Sequence, residues 1–403
     1  MADNRAMQTQ ILIAGAGIGG LAAALASARA GCEVRLFERA PAFTEVGAGV
    51  QLGPNVVRCL HDWGLADALA QVAAFPGHLV VRSARSGARL AMLALGARSV
   101  ARYGAPYVTI HRADLHGLLL GAVRARPQVH LNLGQCATLH MQQAQAVTLT
   151  LQDLQGHASV VEGDALIGAD GLGSSTRAQL LGQAPARACG HLAYRAVLRQ
   201  SALPAALRSQ DVTAWLGRRL HVVHYPLRGG ELLNVVAIRH GTPPEDLDDW
   251  DHGANAAELE AALAHACAPL QDLVRAVPQA AQGWRLWPLA DRPPVAGPQE
   301  MAQGVVALLG DAAHPMRPYL AQGAGMAIED AAELGRALQL QALELPLRLR
   351  RYALNRWQRC ARVQEHSRRN GLIFHASGPL RWGRDLALRV LGERLLDQPW
   401  LYR

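Results

Sequence analysis

In the first forty residues, the apolar side chains follow two patterns, one typical of strands and one typical of a helix. Gln10 to Ala14 is a short continuous apolar run, typical of a buried strand. Residues 21–30 form a small-residue helix pattern that stops at Gly31, the expected position of a C-terminal cap. A second apolar strand follows and ends at Glu38. The pattern therefore predicts a strand–helix–strand unit of α/β type.

Two later stretches repeat the sequence of apolar strand, glycine-containing loop and helix. The run at 305–309 precedes "GDAAHPMRPYLAQGAG", and a helix with apolar residues at helical spacing starts near Gln322. The stretch "DALIGADGLGSSTR", from Asp164 to Arg177, is again a strand followed by an Asp-Gly turn. In such arrangements the backbone N–H groups of a helix N-terminus face an anionic or electron-rich ligand. An Asp-Gly turn alone is equally typical of an ordinary strand end.

The remaining pattern predicts further domains. Alternating segments between 183 and 283 indicate antiparallel strands, and a small insertion at about 76–104 adds more. We predict a dinucleotide-binding domain at 1–182 that continues at 284–345, a sheet domain at 183–283, and an arginine-rich helical region at 346–403. A solvated helix explains that last region better than a membrane or partner role.

The turn "GAGIGG" after the first strand completes a dinucleotide-binding fingerprint with an acidic residue at the end of the second strand. The first glycine permits the tight turn, the second lets the backbone approach a pyrophosphate, and the third lets helix and strand pack closely. The alternative is a tight turn without a ligand. A second ligand-facing loop late in the chain favours extended FAD over NAD as the tight cofactor. The cofactor candidates of this motif are Gly15, Gly17, Gly20, Glu38 and Arg39.

Composition narrows the function classes. The net charge is +8, the chain contains no lysine, and its arginines are scattered, which argues against a nucleic-acid surface. None of the six cysteines forms a C-x-x-C pair, so we expect no metal site. The N-terminus is polar and no apolar stretch reaches membrane-spanning length. We therefore expect a cytoplasmic protein with no membrane partner.

The three motifs, in this order and across essentially the whole chain, resemble the single-component FAD-dependent aromatic hydroxylases, which have the para-hydroxybenzoate hydroxylase fold. The resemblance implies an α/β fold: a Rossmann-like FAD-binding domain, an inserted, mainly antiparallel substrate sheet and a C-terminal helical segment. It also implies that the Asp-Gly motif supports FAD and pyridine nucleotide, and that the late loop holds the ribityl chain and flavin ring. The residues carried over are Asp170, Gly171, Ser174, Arg177, Asp311, Pro315, Gln322, Gly323 and Gly325.

Local matches resemble the salicylate, 3-hydroxybenzoate and 6-hydroxynicotinate hydroxylases. They are "GAGVQLGPNVVRCLHDWGL" from Gly47, "VTIHRADL" from Val108, "HVVHYPLRGGELLNVVA", "RLWPLADRPPV" and "HPMRPYLAQGAGMAIEDAA". By this resemblance Arg112 contacts FAD. Gln51 and Tyr319 stand where the 6-hydroxynicotinate enzymes carry histidines, and they are our candidates for orienting the substrate.

The resemblance implies an NAD(P)H-dependent FAD monooxygenase that hydroxylates a small phenolic or hydroxypyridine acid with O2 through a flavin hydroperoxide, with decarboxylation as an option. NADH is expected over NADPH, and a homodimer is possible. His221 and Tyr225, four apart on a strand, share one face, and we expect His221 to act on the substrate hydroxyl because its ordinary pKa is near neutral. For His221 the alternative is a core histidine without a catalytic role. For the whole protein the alternatives are a flavin-binding redox sensor without activity and a halogenase, which would need a lysine.

Overall fold

The computed structural model describes residues 8–43, 48–183, 186–242, 252–253, 256–280 and 283–403. Gly47, the first residue of one segment on which the family resemblance rests, lies outside these ranges. The strands are β1 Gln10–Ala14, β2 Glu33–Glu38, β3 Gly49–Leu52, β4 His78–Ser83, β5 Arg89–Ala94, β6 Val108–His111, β7 Val129–Leu133, β8 Gln135–Gln142, β9 Val147–Asp153, β10 Ala158–Gly163, β11 Ala165–Gly168, β12 Arg187–Arg199, β13 Val212–Gly217, β14 Leu220–Leu227, β15 Leu232–His240, β16 His252–Gly253, β17 Arg285–Asp291, β18 Ala302–Gln303 and β19 Val306–Leu308.

Helices connect these strands and close the chain. They are α1 Ile18–Arg29, α2 Pro54–Asp62, α3 Ala66–Val72, α4 Gly96–Tyr103, α5 Arg112–Arg124, α6 Ser175–Leu181, α7 Ala256–Ala262, α8 Ala268–Ala280, α9 Gly323–Leu338, α10 Leu345–Phe374, α11 Gly378–Leu391, α12 Glu393–Leu396 and α13 Pro399–Tyr402. Among the described helices, none is long and apolar enough to cross a membrane.

The dinucleotide-binding region is built on a six-stranded sheet of order β18-β19-β11-β1-β2-β7. β1 pairs in parallel with β2 on one side and with β11 on the other, and β11 pairs in parallel with β19. All four strands predicted from the apolar runs of these motifs therefore lie side by side. Parallel neighbours deliver their carboxyl ends to one edge of the sheet, and the three ligand-facing loops follow those ends.

A second sheet has eight strands in the order β16-β17-β12-β15-β14-β13-β4-β5. Its pairs are antiparallel except for β13 with β4, as the mainly antiparallel fold prediction requires. β4 and β5, from the insertion at 76–104, extend this sheet rather than forming one of their own. β17 also lies in it, although the predicted boundary places residue 284 onwards in the dinucleotide-binding domain. The domain boundaries themselves stay a prediction.

The 30-residue helix α10 fastens the C-terminal region to the dinucleotide-binding sheet. The hydroxyl of Tyr352 on α10 donates to the carbonyl oxygen of Leu308 at the end of β19, at 2.8 Å. The guanidinium of Arg356 contacts the carboxylates of Glu329 and Asp330 on α9 at 2.9 and 2.7 Å. These buried polar contacts fix α10 in one position, so its C-terminal end is carried to the eight-stranded sheet.

Candidate active site

In the glycine turn after β1, Gly15 and Gly20 are required by close packing, and Gly17 leaves open space. Gly15 has a φ of +95°, and a Cβ there would lie 2.6 Å from the carbonyl oxygen of Ala169. A Cβ on Gly20 would lie 1.8 Å from the carbonyl oxygen of Gly15. At Gly17 a Cβ would meet nothing within 4 Å. Open space beside the N-terminus of α1 is the room that a pyrophosphate requires.

The carboxylate of Glu38 lies beside this turn. It accepts hydrogen bonds from the backbone N–H of Ala16 at 2.8 Å and of Ala40 at 2.9 Å. The neighbouring Arg39 is exposed. The two backbone bonds hold the carboxylate at the end of β2, where its remaining lone pairs suit a ribose diol. These residues fit a dinucleotide, and their assignment to it stays a prediction.

The Asp-Gly motif caps a helix and reaches the late loop. Asp170 accepts hydrogen bonds from the hydroxyl of Ser174 at 2.5 Å and from the backbone N–H of Thr176 at 3.0 Å, at the start of α6. Arg177 is buried and donates to the carbonyl oxygens of Ala312 and Ala313. Burial lowers the pKa of Arg177 to about 10. The motif is thus physically joined to the loop after β19.

Asp311 lies in the short turn Gly310–Ala312 that follows β19. Its side chain is open to solvent, yet surrounding protein raises the pKa of its carboxyl, while the positive charges of His314 and Arg112 oppose the rise. A side chain that is both accessible and surrounded faces a deep cleft. Arg112 begins α5, and its backbone N–H donates to the carbonyl oxygen of Ala48 at 2.8 Å. The cleft therefore lies between the loop after β19 and the start of α5, next to Ala48.

The start of α9 forms another wall of this cleft. Gln322 precedes the helix, and its amide oxygen accepts from the side-chain amide of Asn55 at 3.1 Å. A Cβ on Gly325 would lie 2.6 Å from a methyl of Val56, whereas a Cβ on Gly323 would meet nothing within 4 Å. Gly325 is therefore required by helix packing, and Gly323 leaves open space at the positive end of α9.

Two residues near that helix have structural partners. Pro315 is buried, and its carbonyl oxygen accepts from the side chain of Gln364 at 3.1 Å. The imidazole of His314 contacts the buried carboxylate of Asp330 at 2.5 Å rather than a backbone group. Both contacts hold the loop between β19 and α9 in place, which keeps its backbone available to a flat ligand.

Strand β14 presents His221 and Tyr225 on one face and His224 on the other. The register pairs His221 with Ile238 and Tyr225 with Asn234. His224 instead stacks on Trp215, with ring centres 6.3 Å apart. Alternation along a strand explains the division, as the sequence predicted. The catalytic roles of His221 and Tyr225 stay a prediction.

Four histidines meet at one end of this face. Nδ1 of His221 lies 2.8 Å from Nε2 of His375, and Nδ1 of His375 lies 2.9 Å from Nε2 of His240. The ring centres of His191 and His240 are 4.4 Å apart. Tyr319, a predicted substrate residue, bonds through its hydroxyl to Nδ1 of His191 at 2.5 Å. The sequence analysis missed three of these histidines because they lie far apart along the chain.

The electrostatics of this cluster correct one expectation. His221 was chosen because the ordinary pKa of histidine is near neutral, but burial, with His191 adding repulsion, lowers its pKa to about 3. Burial also lowers the pKa of His191 to about 4 and that of His375 to about 2, with neighbouring imidazoles contributing. All three rings are therefore neutral at pH 7, and each has one N–H donor and one acceptor nitrogen.

The second predicted substrate residue, Gln51, lies near Tyr225 and away from the histidines. Its amide oxygen accepts from the hydroxyl of Tyr107 at 2.8 Å, and its hydrogen bond to Tyr225 lowers the pKa of that phenol, which burial raises more strongly. His221 and Tyr225 are four residues apart, about 13 Å along a strand. The structure thus brings Gln51 and Tyr319 to two different ends of one face.

Arg195 lies between these two ends and was not predicted. Its register partner Val236 also pairs with Val223, the residue midway between His221 and Tyr225. The guanidinium stacks on Trp287 at 4.0 Å from the ring centre. Burial lowers the pKa of Arg195 to about 10, and its Nε has no hydrogen-bond partner among the described residues. An arginine between the apolar residues Ala193 and Val197 of the same strand face was the signal that could have revealed it.

The chain was compared with known proteins. The FAD binding domain family matches residues 8–366. The 3-hydroxybenzoate 6-hydroxylase of Polaromonas naphthalenivorans (strain CJ2) is 38% identical over 404 residues, which cover 100% of this chain and 97% of that protein. The 6-hydroxynicotinate 3-monooxygenase of Bordetella bronchiseptica is 37% identical over 369 residues, covering 90% and 91%. The crystal structure of Klebsiella pneumoniae HpxO complexed with FAD and uric acid has a TM-score of 0.81 at 27% identity, covering 96% and 94%.

Proposed function

Since the chain belongs to the FAD binding domain family, we propose that its eight-stranded sheet binds a small phenolic or hydroxypyridine carboxylate for hydroxylation. The protein is an FAD-dependent monooxygenase that uses NAD(P)H and O2. Relatives that cover nearly the whole chain are named for hydroxylating hydroxybenzoate and hydroxynicotinate, which supports this substrate class.

The observation that carries the proposal is Arg195. The residue is half-buried, and its buried Nε has no hydrogen-bond partner among the described residues, which is costly unless a ligand completes it. A planar carboxylate pairs with a guanidinium through two parallel hydrogen bonds. The stack on Trp287 fixes the plane of the guanidinium, so the carboxylate would be held in one orientation. The acid group of the substrate is therefore assigned to Arg195.

The ring and its hydroxyl would extend from Arg195 along β14. Val223 and Val236 lie in the same row as Arg195, and Ile238 lies in the row of His221. These apolar side chains suit the faces of an aromatic ring and exclude water from the reacting carbon. The substrate hydroxyl would reach His221 and Tyr319, whose ring centres are 5.3 Å apart. Gln51 and Tyr225 would close the opposite end.

The cofactor residues act by binding and orientation. We assign the adenosine and pyrophosphate to the turn from Gly15 to Gly20 and to Glu38, and the ribityl chain to Asp311. The flavin ring is assigned to the cleft between Arg112 and Gly323, where open backbone faces the end of α9. When bound, FAD supplies the redox and oxygen chemistry, while the protein supplies position, dryness and electrostatics.

Three finer assignments accompany the proposal. We expect NADH to bind transiently and in preference to NADPH, because the chain has one complete dinucleotide fingerprint and the subgroup resemblance favours NADH. The cytoplasm is the proposed location.

A homodimer is proposed because α10 and α11 expose large apolar side chains, which in a monomer would face water. They include Leu372, Trp382 and Val390, which are 71%, 66% and 73% exposed.

The decisive experiment measures NADH oxidation by the FAD-loaded protein with a panel of aromatic acids. 3-Hydroxybenzoate, 6-hydroxynicotinate and salicylate should be compared with phenol and benzoate, which each lack one of the two recognised groups. An acid that also carries a hydroxyl should stimulate NADH oxidation at least tenfold and yield a hydroxylated product by mass spectrometry. Equal NADH oxidation with and without every acid would refute a hydroxylase function.

A further inference from the structure

The histidines on the sheet face form a continuous line of hydrogen bonds that ends near solvent. His221 is 2% exposed and His375 is 6% exposed, whereas His240 is half-buried. The first contact joins Nδ1 of His221 to Nε2 of His375, and the second joins Nδ1 of His375 to Nε2 of His240. Each ring therefore uses its two nitrogens in the same order along the line. Such a series has one direction from the pocket to the outside.

Neutral imidazoles bonded in this order have the donors and acceptors needed to pass a proton along the line. If each ring carries its proton on Nδ1, His221 donates to His375, and His375 donates to His240. Nε2 of His221 then keeps a lone pair, because the contact with His375 uses Nδ1 of His221. A proton accepted at that nitrogen can move every proton one step outward. No ring needs to hold a second proton except in passing, which matters because burial disfavours imidazolium.

Backbone contacts hold the last two histidines to one residue. The backbone N–H of Arg219 donates to the carbonyl oxygen of His375 at 3.2 Å. The backbone N–H of His240 donates to the carbonyl oxygen of Arg219 at 3.1 Å. Arg219 has a φ of +54°, an uncommon conformation for a residue with a side chain. The tight turn between β13 and β14 therefore fixes the C-terminal end of α10 against the sheet.

We propose that His375 and His240 carry to solvent the proton that His221 takes from the substrate hydroxyl. This inference rests on the proposed function. The O–H bond of the substrate breaks, and its proton forms an N–H bond at Nε2 of His221. His221 passes its Nδ1 proton to Nε2 of His375, and His375 passes its own to Nε2 of His240. His240 releases its Nδ1 proton to water, which leaves an electron-rich phenolate in the pocket.

The reverse movement restores the line. When the product oxygen regains a proton, it takes one from Nε2 of His221, and the other rings shift their protons inward as His240 accepts one from water. No net charge accumulates on the buried rings in either direction. His191 is not in this line, because its Nδ1 is occupied by the hydroxyl of Tyr319.

Other charged and titratable groups face the line. His191 and Tyr319 lie beside it, Arg219 and Arg317 act on His240 through their charge, and Arg384 acts on His375. Asp291 acts on the neighbouring His191. The three arginines are cationic, so they disfavour an imidazolium on His240 and His375. They therefore promote rapid release of the proton to water over its retention on the histidines.

The test uses the oxidised, FAD-loaded protein and 3-hydroxybenzoate in weakly buffered solution with the pH indicator phenol red. Stopped-flow mixing reports the rate at which ligand binding releases a proton. His375→Gln keeps a hydrogen-bonding side chain that cannot relay a proton, and it should slow the release at least tenfold. His240→Ala should do the same, and added imidazole should restore its rate. His224→Gln, on the opposite face of β14, is the matched control and should match the wild type.

The outcomes separate a relay from a structural role. In mixtures of H2O and D2O the wild-type rate should depend on more than one proton, and each relay variant should lose that dependence. An unchanged release rate in His240→Ala with normal FAD content would refute the relay, whether or not His375→Gln folds. So would the absence of proton release by the wild type, or a stoichiometric zinc ion that occupied the imidazole lone pairs. If no aromatic acid stimulates NADH oxidation, the proposed function fails independently of these results.

Discussion

The guanidinium carbon of Arg195 lies 4.0 Å from the centre of the Trp287 ring, on the face of the sheet that also presents His221 and Tyr225. The two residues are on neighbouring strands, β12 and β17, and face a region without a carboxylate partner for Arg195 among the described side chains. The stack holds a cation at a fixed orientation in the row that contains the apolar Val236 and Val223. This relationship gives the first prediction.

Arg195→Gln should weaken binding of an aromatic carboxylate by about 10- to 100-fold, since hydrogen bonds to charged groups contribute roughly 1.5–3 kcal/mol. Phenol, which lacks the carboxylate, should bind both proteins alike. Arg82→Gln is the control, because Arg82 stacks on Trp215 on the other side of the same sheet. Ligand titrations followed by the flavin absorbance provide the measurement. Equal losses for the acid and for phenol would assign Arg195 to general packing.

Gly17 and Gly20 form a pair that separates cofactor binding from folding. Gly17→Ala should leave the unfolding free energy of the apoprotein within about 0.5 kcal/mol and weaken FAD binding at least tenfold, because its methyl would occupy the open space beside α1. Gly20→Ala should lower the unfolding free energy by about 2 kcal/mol or more, since its methyl meets the Gly15 carbonyl. Urea unfolding of apoprotein and fluorescence titration with FAD measure the two effects. Normal FAD affinity in Gly17→Ala would contradict the proposed binding site.

The buried pair of His314 and Asp330 should make stability depend on pH. Burial alone lowers the pKa of His314, but Cys360 and Asp330 raise it well above its ordinary 6.5. Because the pKa of His314 is higher in the folded than in the unfolded state, protonation of His314 stabilises the folded state. This stabilisation is complete below pH 6.5, the unfolded pKa, and is lost as the pH rises through the folded pKa. For Asp330, burial opposes ionisation, yet His314 and Arg356 hold the pKa below its ordinary 3.8, so its contribution is lost only in acid.

His314→Gln should therefore lower the unfolding free energy by about 3–5 kcal/mol at pH 6, with the difference from the wild type shrinking at high pH. The control is His78→Gln, because His78 and Asp211 form an exposed pair 3.2 Å apart that should contribute less than about 1 kcal/mol. Urea unfolding between pH 5 and 10 measures both variants. A loss that does not change with pH would show that His314 contributes by packing and not by charge.

Local patterns predicted the parts of the fold that depend on local physics. The bounds of β1, the end of β2 and the start of α9 follow from apolar periodicity and glycine placement, and all agree with the structure. The cofactor motifs share this property, because each is a strand and the turn directly after it. Their arrival at one sheet edge follows from parallel pairing.

The pocket depends on long-range contacts and was only half predicted. His221 and Tyr225 are four residues apart, so strand alternation places them on one face without further information. His375 meets His221 across 154 positions, and that contact depends on the docking of α10. The pKa of His221 also depends on burial, which a single side chain does not reveal. Arg195 was missed because an isolated arginine in a strand is usually interpreted as surface exposed.

The turn at Arg219 has a consequence for the order in which the protein becomes competent during synthesis. Ribosomes make the chain from the N-terminus, and domains generally fold in that order. The glycine turn at Gly15 and the loop at Asp311 are synthesised before His375. The histidine line is complete only when the carbonyl oxygen of His375 accepts the hydrogen bond from the backbone N–H of Arg219. The docking of the end of α10 onto Arg219 therefore joins two parts of the chain that are made at different times, and the histidine line is complete only after both have been synthesised.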